Sequence, residues 1–210
     1  MSTKNNKFNA EVIAHPKLMH YGLVTANMDA MAKWYRRVLG MNVNHRSEVG
    51  LVARQFSPFS AATFMGNDEV DHRIVLFEVK GVKTDPDKQK HLRLQHVAFE
   101  IPTLDDLLGT YVRLKDEGIK PVWAADHGVG TSFYWMDPDG NNVEIFVNNY
   151  SSWETATEHI KTMEPKITPV DPDKLVEARE AGATPWEIHE RAIAGEFSPK
   201  GGWGDTKMVF

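Results

Sequence analysis

Two stretches of the chain share one arrangement of apolar and polar positions. The first begins at Leu18 and reads LMHYGLVTANMDAMAKWYRRVLGMNV; the second begins at Leu94 and reads LQHVAFEIPTLDDLLGTYVRLKDEGIKPV. Each opens with a short apolar run that carries a histidine at its third position, passes a polar turn, and becomes an amphipathic stretch that stops at a glycine, Gly40 or Gly118. The pattern predicts a strand followed by a helix in each of two repeats.

Capping residues indicate where the two predicted helices begin and end. Thr103 can cap the second helix, with Asp105 and Asp106 at its positive end, and Gly118 can end it in a left-handed conformation. Asn27 takes the same capping role in the first repeat. Both helices are therefore bounded by residues whose side chains or backbone freedom favour a helix end.

Three short runs with strand composition follow each helix. They cover Met41–Val49, Leu51–Phe56 and Arg73–Val79 in the first repeat, and Lys120–Ala124, Ser132–Met136 and Asn142–Val147 in the second. The sequence DPDG at Asp137–Gly140 predicts a tight turn between the last two strands. Each repeat is thus predicted to be βαβββ, and the fold class to be α+β.

The pattern changes beyond Tyr150. A helical stretch is predicted from Asp171 to Ala181, ending at Gly182, and TPWE from Thr184 is a capping box that begins a second helix. The glycine-rich end of the chain, GEFSPKGGWGDTKMVF, is expected to form an extended arm.

We therefore predict two parts in the chain. One domain spans 16–149 and contains the paired repeats at 18–80 and 94–148. A C-terminal helical extension and arm occupies 150–210.

Composition narrows the kinds of function that the chain can have. The 210 residues carry a formal net charge of −5 without a long basic run, which argues against nucleic acid as a partner. No apolar stretch approaches the roughly 18 residues that a membrane span requires, and the first residues lack a hydrophobic signal segment. A cytoplasmic protein without membrane contact is expected. Because the chain has no cysteine, any metal must be held by His, Asp or Glu.

Three residues have the chemistry and placement of metal ligands. Side chains alternate between the faces of a strand, so His20 and His96 occupy the same face at matched repeat positions. Glu144 is an acid among apolar neighbours on the last predicted strand. Two imidazoles and one carboxylate are the facial ligand set that leaves open positions on iron(II). The sequence therefore predicts one metal ion held by His20, His96 and Glu144.

The two βαβββ repeats and the ending DPDGNNVE resemble the vicinal-oxygen-chelate superfamily, over about residues 16–149. That superfamily includes glyoxalases, fosfomycin-resistance transferases, bleomycin-binding proteins and type I extradiol dioxygenases. Within it, the sequence is most similar to single-module extradiol catechol dioxygenases. The resemblance implies that the two modules form one incomplete barrel around the metal site.

The resemblance also implies three catalytic residues beyond the ligands. His72 in DHRIVLFEV, His127 in AADHGVG and Tyr134 in SFYWMDPDG match the family's positions, and Tyr134 precedes Glu144 by ten residues. His72 is expected beside bound oxygen as an acid or base, and His127 and Tyr134 are expected to hydrogen-bond the substrate oxygens. The remaining histidines match nothing in the family and are expected to be structural or exposed: His15, His45, His91, His159 and His189.

The activity that the resemblance implies is extradiol ring cleavage. Both atoms of O2 would be inserted into a catechol-type aromatic diol at a non-haem Fe(II) centre, with Mn(II) as the alternative ion. The partner is then a small aromatic diol, with O2 as co-substrate. Pairing of subunits into a homo-oligomer is expected because single modules leave sheet edges to protect.

Two other functions remain open for such a chain. A glyoxalase-type isomerase requires a fourth protein ligand, for which Glu78 is the nearest candidate. However, the repeat partner of Glu144 falls near Ile74 or Val75, which are apolar and favour three ligands. The other alternative is a metal-free binding protein that sequesters a drug or another small molecule.

Overall fold

The computed structural model describes residues 15–48, 50, 58–162 and 166–200. Its strands and helices, in chain order, are β1 (Tyr21–Thr25), α1 (Met28–Leu39), β2 (Asn42–Glu48), β3 (Ala61–Gly66), β4 (Ile74–Glu78), β5 (His96–Glu100), α2 (Leu104–Asp116), β6 (Trp123–Asp126), β7 (Gly130–Met136), β8 (Asn142–Asn148), α3 (Trp153–Ile160), β9 (Thr168–Pro169), α4 (Pro172–Glu180) and α5 (Pro185–Ile193). The βαβββ order is thus present twice.

The strands form two mixed sheets. One has the order β1-β4-β3-β2 and the other the order β5-β8-β7-β6-β9. In each sheet the first and last strands of a repeat are parallel, and the remaining pairs are antiparallel. Neither sheet closes into a barrel within the described ranges. The predicted α+β class with an incomplete barrel is confirmed.

Strand register relates the two repeats residue by residue. Ala98, two residues after His96, pairs with Glu144. Gly22, two residues after His20, pairs with Val75, which is buried. Val75 therefore holds the position in the first repeat that Glu144 holds in the second, in agreement with the expectation that this position is apolar.

Each helix covers one face of its own sheet. Helix α1 contributes Met31 and Tyr35 to a core cluster with Ile74, and α2 contributes Leu107 to a second cluster with Phe133. Fully burying such a side chain stabilises the fold by about 1.5–3 kcal/mol. The opposite faces of the sheets, which carry the even-numbered residues of β1, β5 and β8, are left for the site.

A shared core joins the two sheets. Phe99 of β5 and Val143 of β8 pack into the α1 cluster, and the Tyr21 and Phe99 rings lie 6.3 Å apart. Tyr21 and Val97 also line two neighbouring cavities together. Strands β1 and β5 consequently lie side by side, as the repeat symmetry predicts.

The predicted helix ends are confirmed. The Asn27 side chain accepts from the Ala30 backbone N–H, and the Thr103 side chain accepts from the Asp106 N–H. Gly40 and Gly118 both have positive φ, 66° and 78°, which a residue with a side chain rarely adopts.

Several strand bounds differ from the prediction. Strand β6 begins at Trp123 instead of Lys120, because Pro121 has no N–H to donate to a ladder. Strand β3, with the sequence AATFMG, was missed because its alanines and glycine have low strand propensity. The predicted strand Leu51–Phe56 lies outside the described residues. Strand β1 begins at Tyr21, so His20 precedes it.

The C-terminal part contains more structure than predicted. Helices α4 and α5 occur where the sequence indicates them, with the capping box at Thr184. Helix α3 and the short strand β9 were not predicted, and β9 adds to the second sheet beside β6. Phe197 of the predicted arm is buried, and residues 201–210 lie outside the described ranges. No helix among the described residues is long and apolar enough to cross a membrane.

Candidate metal and substrate site

The centre of the candidate site is a contact between two predicted ligands on adjacent strands. His96 Nε2 lies 2.8 Å from Glu144 Oε2. The parallel pairing of β5 with β8 places Ala98 opposite Glu144, so the imidazole and the carboxylate project from the same face. Ala98 leaves this face open because its side chain is a single methyl group.

Glu144 is held as a carboxylate although it is only 6% exposed. Burial by itself raises the pKa of Glu144, but hydrogen bonds from His96, Ser132 and Tyr134 together lower it below its ordinary value. The Tyr134 hydroxyl donates to Glu144 Oε1 at 2.9 Å, and the Ser132 hydroxyl donates to the same oxygen. A buried, ionised and well-oriented carboxylate is a suitable metal ligand.

The ring of His96 is oriented by its neighbour in the chain. The side-chain carbonyl of Gln95 contacts His96 Nδ1. Metal-binding histidines commonly donate one ring N–H to an oxygen acceptor, which fixes the tautomer and leaves the other nitrogen free to bind. The contact with Gln95 therefore leaves His96 Nε2, the nitrogen beside Glu144, as the one available to a ligand.

Tyr134 links Glu144 to His127. The Tyr134 hydroxyl lies 3.1 Å from His127 Nε2. Burial and the Glu144 charge raise the pKa of Tyr134, so its hydroxyl keeps its proton. Burial lowers the pKa of His127, although the charges of Glu144 and Asp126 oppose this. His127 is therefore a neutral imidazole at neutral pH, and it can accept a proton.

The other two predicted site residues contact each other. His20 Nδ1 lies 3.1 Å from His72 Nε2, and the ring centroids are 4.5 Å apart. His72 Nδ1 lies 2.7 Å from Asp71 Oδ2, which fixes the other side of that ring. The structure thus gathers the six predicted residues into two contact groups, one around Glu144 and one between His20 and His72.

The Glu144 group has the donors for a divalent ion. Two ligand atoms on one octahedral ion, each at about 2.1 Å, lie roughly 3 Å apart. The 2.8 Å separation of His96 Nε2 from Glu144 Oε2 matches this spacing, so both atoms could bind one ion. Within the described ranges, no group of three or more His, Asp or Glu side chains is arranged to hold a metal. His20, the third predicted ligand, contacts His72 in the structure.

Aromatic side chains border the site at the end of β8. Phe146 follows Glu144 on the same face, and its ring stacks on Trp153 of α3 with centroids 5.7 Å apart and planes 10° from parallel. Trp153 remains 49% exposed. A Cβ at Gly130 would lie 2.0 Å from the Phe146 ring, so only glycine fits beneath it. The Phe146–Trp153 pair forms one wall of the open face.

Sequence reasoning missed three polar residues that support the site: Gln95, Asp71 and Ser132. Ser132 could have been found, because it alternates with Tyr134 on a strand and so shares its face. Gln95 and Asp71 each precede a predicted histidine but lie outside strands β5 and β4, where residue spacing does not indicate which side chains meet.

Comparisons with known proteins agree with this architecture. Residues 17–145, more than half of the chain, match the family model described as Glyoxalase/Bleomycin resistance protein/Dioxygenase superfamily. The chain is 35% identical over 186 residues to biphenyl-2,3-diol 1,2-dioxygenase 3 of Rhodococcus globerulus, covering 85% of this chain and 90% of that protein. It is also 35% identical over 192 residues to biphenyl-2,3-diol 1,2-dioxygenase 2 of the same organism, covering 89% and 93%.

A solved structure supports the fold. A glyoxylase/bleomycin resistance protein/dioxygenase domain from Frankia sp. EAN1pec superposes with a TM-score of 0.55 at 18% identity, covering 66% of this chain and 96% of that one. The family model and the two relatives extend this likeness to sequence along most of the chain. The chain therefore belongs to the glyoxalase/bleomycin resistance protein/dioxygenase superfamily.

Proposed function

We propose that the chain is an extradiol dioxygenase that uses O2 to open the ring of a catechol-type diol at an Fe(II) ion held by His20, His96 and Glu144. The observation that carries this proposal is the contact set of Glu144: an ionised carboxylate on an open face, touching His96 and linked through Tyr134 to a neutral His127. The similarity to two proteins named biphenyl-2,3-diol 1,2-dioxygenases supports it over most of the chain.

The bound metal would bring the two diol oxygens and O2 together and provide the electron route between them. The protein residues around it handle protons. His127 is neutral and sits beside the Tyr134 hydroxyl, so it is the base that accepts a proton from the diol. Tyr134 keeps its own proton, and it would donate that hydrogen to the diol oxygen, instead of to Glu144, once the carboxylate binds the metal.

His72 is proposed to act on the oxygen side of the site. Its Nε2 faces His20, and Asp71 holds its Nδ1, so the ring is fixed with one nitrogen directed at a proposed ligand. From this place, and once His20 binds the metal, His72 could stabilise charge or pass a proton close to the ion. Phe64 packs edge-on against the His72 ring at 5.1 Å and limits its movement.

Replacing Tyr134 with Phe is expected to lower kcat by roughly 100-fold, the lower end of what one positioned group that assists proton transfer contributes. Iron content should stay near that of the wild type, because Ser132 and His96 still contact Glu144. Steady-state oxygen uptake and elemental analysis measure the two quantities. Tyr111→Phe is the matched control, since that hydroxyl donates to Asp173 on helix α4 and not to the site. Full activity in Tyr134→Phe would remove this hydroxyl from the mechanism.

The aromatic wall favours a substrate with a second ring. Trp153→Ala is expected to raise KM for biphenyl-2,3-diol about 10-fold and to change KM for catechol little, because only the larger diol would reach the wall. Trp153→Phe keeps an aromatic surface on Phe146 and should behave nearly as the wild type. Equal changes in KM for both diols would show that Trp153 does not distinguish them.

The proposal is tested by loading the protein with Fe(II) without oxygen and then measuring oxygen uptake with catechol and with biphenyl-2,3-diol. We expect iron-dependent uptake and a ring-opened product. The glutathione hemithioacetal of methylglyoxal is assayed in parallel. Turnover of that compound without oxygen uptake would instead indicate a glyoxalase-type isomerase. If the protein binds no iron and consumes no oxygen with either diol, the dioxygenase proposal fails. The metal-free small-molecule-binding protein is then the remaining alternative.

A further inference from the structure

A buried carboxylate lies next to His127, at the end of β6. Asp126 is 0% exposed and receives hydrogen bonds on both oxygens. The Gly128 N–H donates to Oδ1 at 2.7 Å, and Oδ2 accepts from the Asn149 side-chain amide at 3.1 Å and from the Thr131 hydroxyl at 3.2 Å. Asp126 thereby organises the tight loop that carries His127.

The shortest side-chain contact to Asp126 comes from the C-terminal extension. His189 of helix α5 is 6% exposed, and its Nδ1 lies 2.8 Å from Asp126 Oδ2. A carboxylate oxygen accepts, so a hydrogen bond between these two atoms needs the hydrogen on His189 Nδ1. The Asn149 side-chain amide lies 2.9 Å from the same nitrogen, so His189 contacts two members of the group around Asp126. The extension also attaches through its backbone, since Thr168 of β9 pairs with Asp126 in register.

The loop between Asp126 and Gly130 determines where His127 points. The His127 N–H donates to the Gly130 carbonyl at 2.8 Å, and the Asn149 side chain donates to the Gly128 carbonyl at 3.2 Å. From this backbone position, His127 Nε2 lies 3.1 Å from the Tyr134 hydroxyl. A change that releases Asp126 is therefore expected to move His127.

We propose that His189 is a positioning residue for the reaction: through Asp126, it holds the loop that aims His127 at the substrate. This proposal rests on the proposed function for the role of His127. It gives the C-terminal extension a part in the site, although helix α5 lies outside the two βαβββ repeats. Sequence reasoning had placed His189 among the structural or exposed histidines.

The physical reason is the cost of a buried carboxyl group that loses a hydrogen-bond partner. If His189 is replaced by an apolar residue, the fully buried Asp126 lacks one donor and must find another. The Gly128 N–H of the same loop already donates to this carboxyl group, so we expect the loop to rearrange when the carboxyl group loses its contact with His189. A displacement of about 1 Å in a catalytic group can reduce turnover about 100-fold.

The test compares His189→Leu with His189→Asn. Asn places a side-chain N–H at the position of His Nδ1, whereas Leu provides no donor. We expect His189→Leu to lower kcat roughly 10- to 100-fold with little change in iron content or in KM, and His189→Asn to restore kcat to within a few-fold. His159→Asn is the control, because His159 lies in the same extension but contacts Tyr150 and not Asp126.

A second measurement does not depend on turnover. Amide hydrogen exchange of Gly128 and Gly130 should be faster in His189→Leu than in the wild type, and near wild type in His189→Asn. Unchanged kcat in His189→Leu, or equal losses of kcat in the Leu and Asn variants, would overturn the positioning role. If the wild type opens no diol, the proposed function fails. Unchanged amide hydrogen exchange of Gly128 and Gly130 in His189→Leu would separately refute the link from His189 to the loop.

Discussion

Replacing Glu144 with Ala is expected to remove iron binding and, with it, oxygen consumption. Glu144 is the only carboxylate among the three proposed ligands, and His96 contacts it directly. Loss of a supporting residue around a metal ligand already costs roughly 10- to 100-fold in affinity or activity, and loss of a ligand should exceed this. Elemental analysis after reconstitution and desalting, together with oxygen uptake, measures both effects.

Glu180→Ala is the matched control for this variant. Glu180 is an exposed acid at the end of α4, whose Leu175 and Ala178 pack with α2 in the core on the other side of the second sheet. Its replacement also removes one negative charge, and iron content and turnover should equal those of the wild type. Stoichiometric iron in Glu144→Ala would be incompatible with the ligand assignment, provided that thermal unfolding shows the variant to be folded.

His20→Ala should have an effect on iron binding comparable to that of Glu144→Ala. His20 contacts His72 in the structure, and the repeat symmetry relates it to His96 across the adjoining strands. If His20 turns to the metal when the ion binds, its removal leaves only one histidine and one carboxylate, and two ligands are too few for a stable iron site. Iron titration of the two variants under the same conditions compares them.

His45→Ala serves as the control for His20→Ala, because His45 is an exposed histidine of β2 that matches no family position. Its iron affinity should be unchanged. Spectroscopy of the Fe(II) protein with nitric oxide adds a check on the ligands, since the signal depends on what the ion is bound to. Wild-type iron affinity and an unaltered signal in His20→Ala would mean that another residue provides the third ligand.

Signals from neighbouring residues were sufficient to predict the helix ends in both repeats. Helix caps at Asn27 and Thr103 and the positive φ at Gly40 and Gly118 depend only on neighbouring residues. Strand alternation was also sufficient to place Glu144 on the face of β8 that contacts His96, because the period of a strand is two residues. The resemblance to a family then added His127 and Tyr134, whose contact with each other the strand pattern alone did not predict.

The remaining features depend on contacts between distant parts of the chain. His20 and His72 are 52 positions apart in the chain. Their contact depends on side-chain rotations, which the spacing of apolar and polar residues does not predict. His189 reaches Asp126 across 63 positions, and a single histidine on a helix gives no sign of such a partner. The alanines and glycine of β3 have low strand propensity, so the sequence did not indicate this strand. Its pairing with β2 and β4 stabilises it in the fold.

An extradiol dioxygenase inserts both atoms of O2 into its aromatic diol. The most direct measurement is mass spectrometry of the product formed from biphenyl-2,3-diol by the Fe(II)-loaded protein under ¹⁸O2, with the product analysed before its oxygens exchange with water. We expect a ring-opened product that carries both labelled atoms. A product with one labelled atom or none, or no product from protein that has bound iron, would contradict the proposed function.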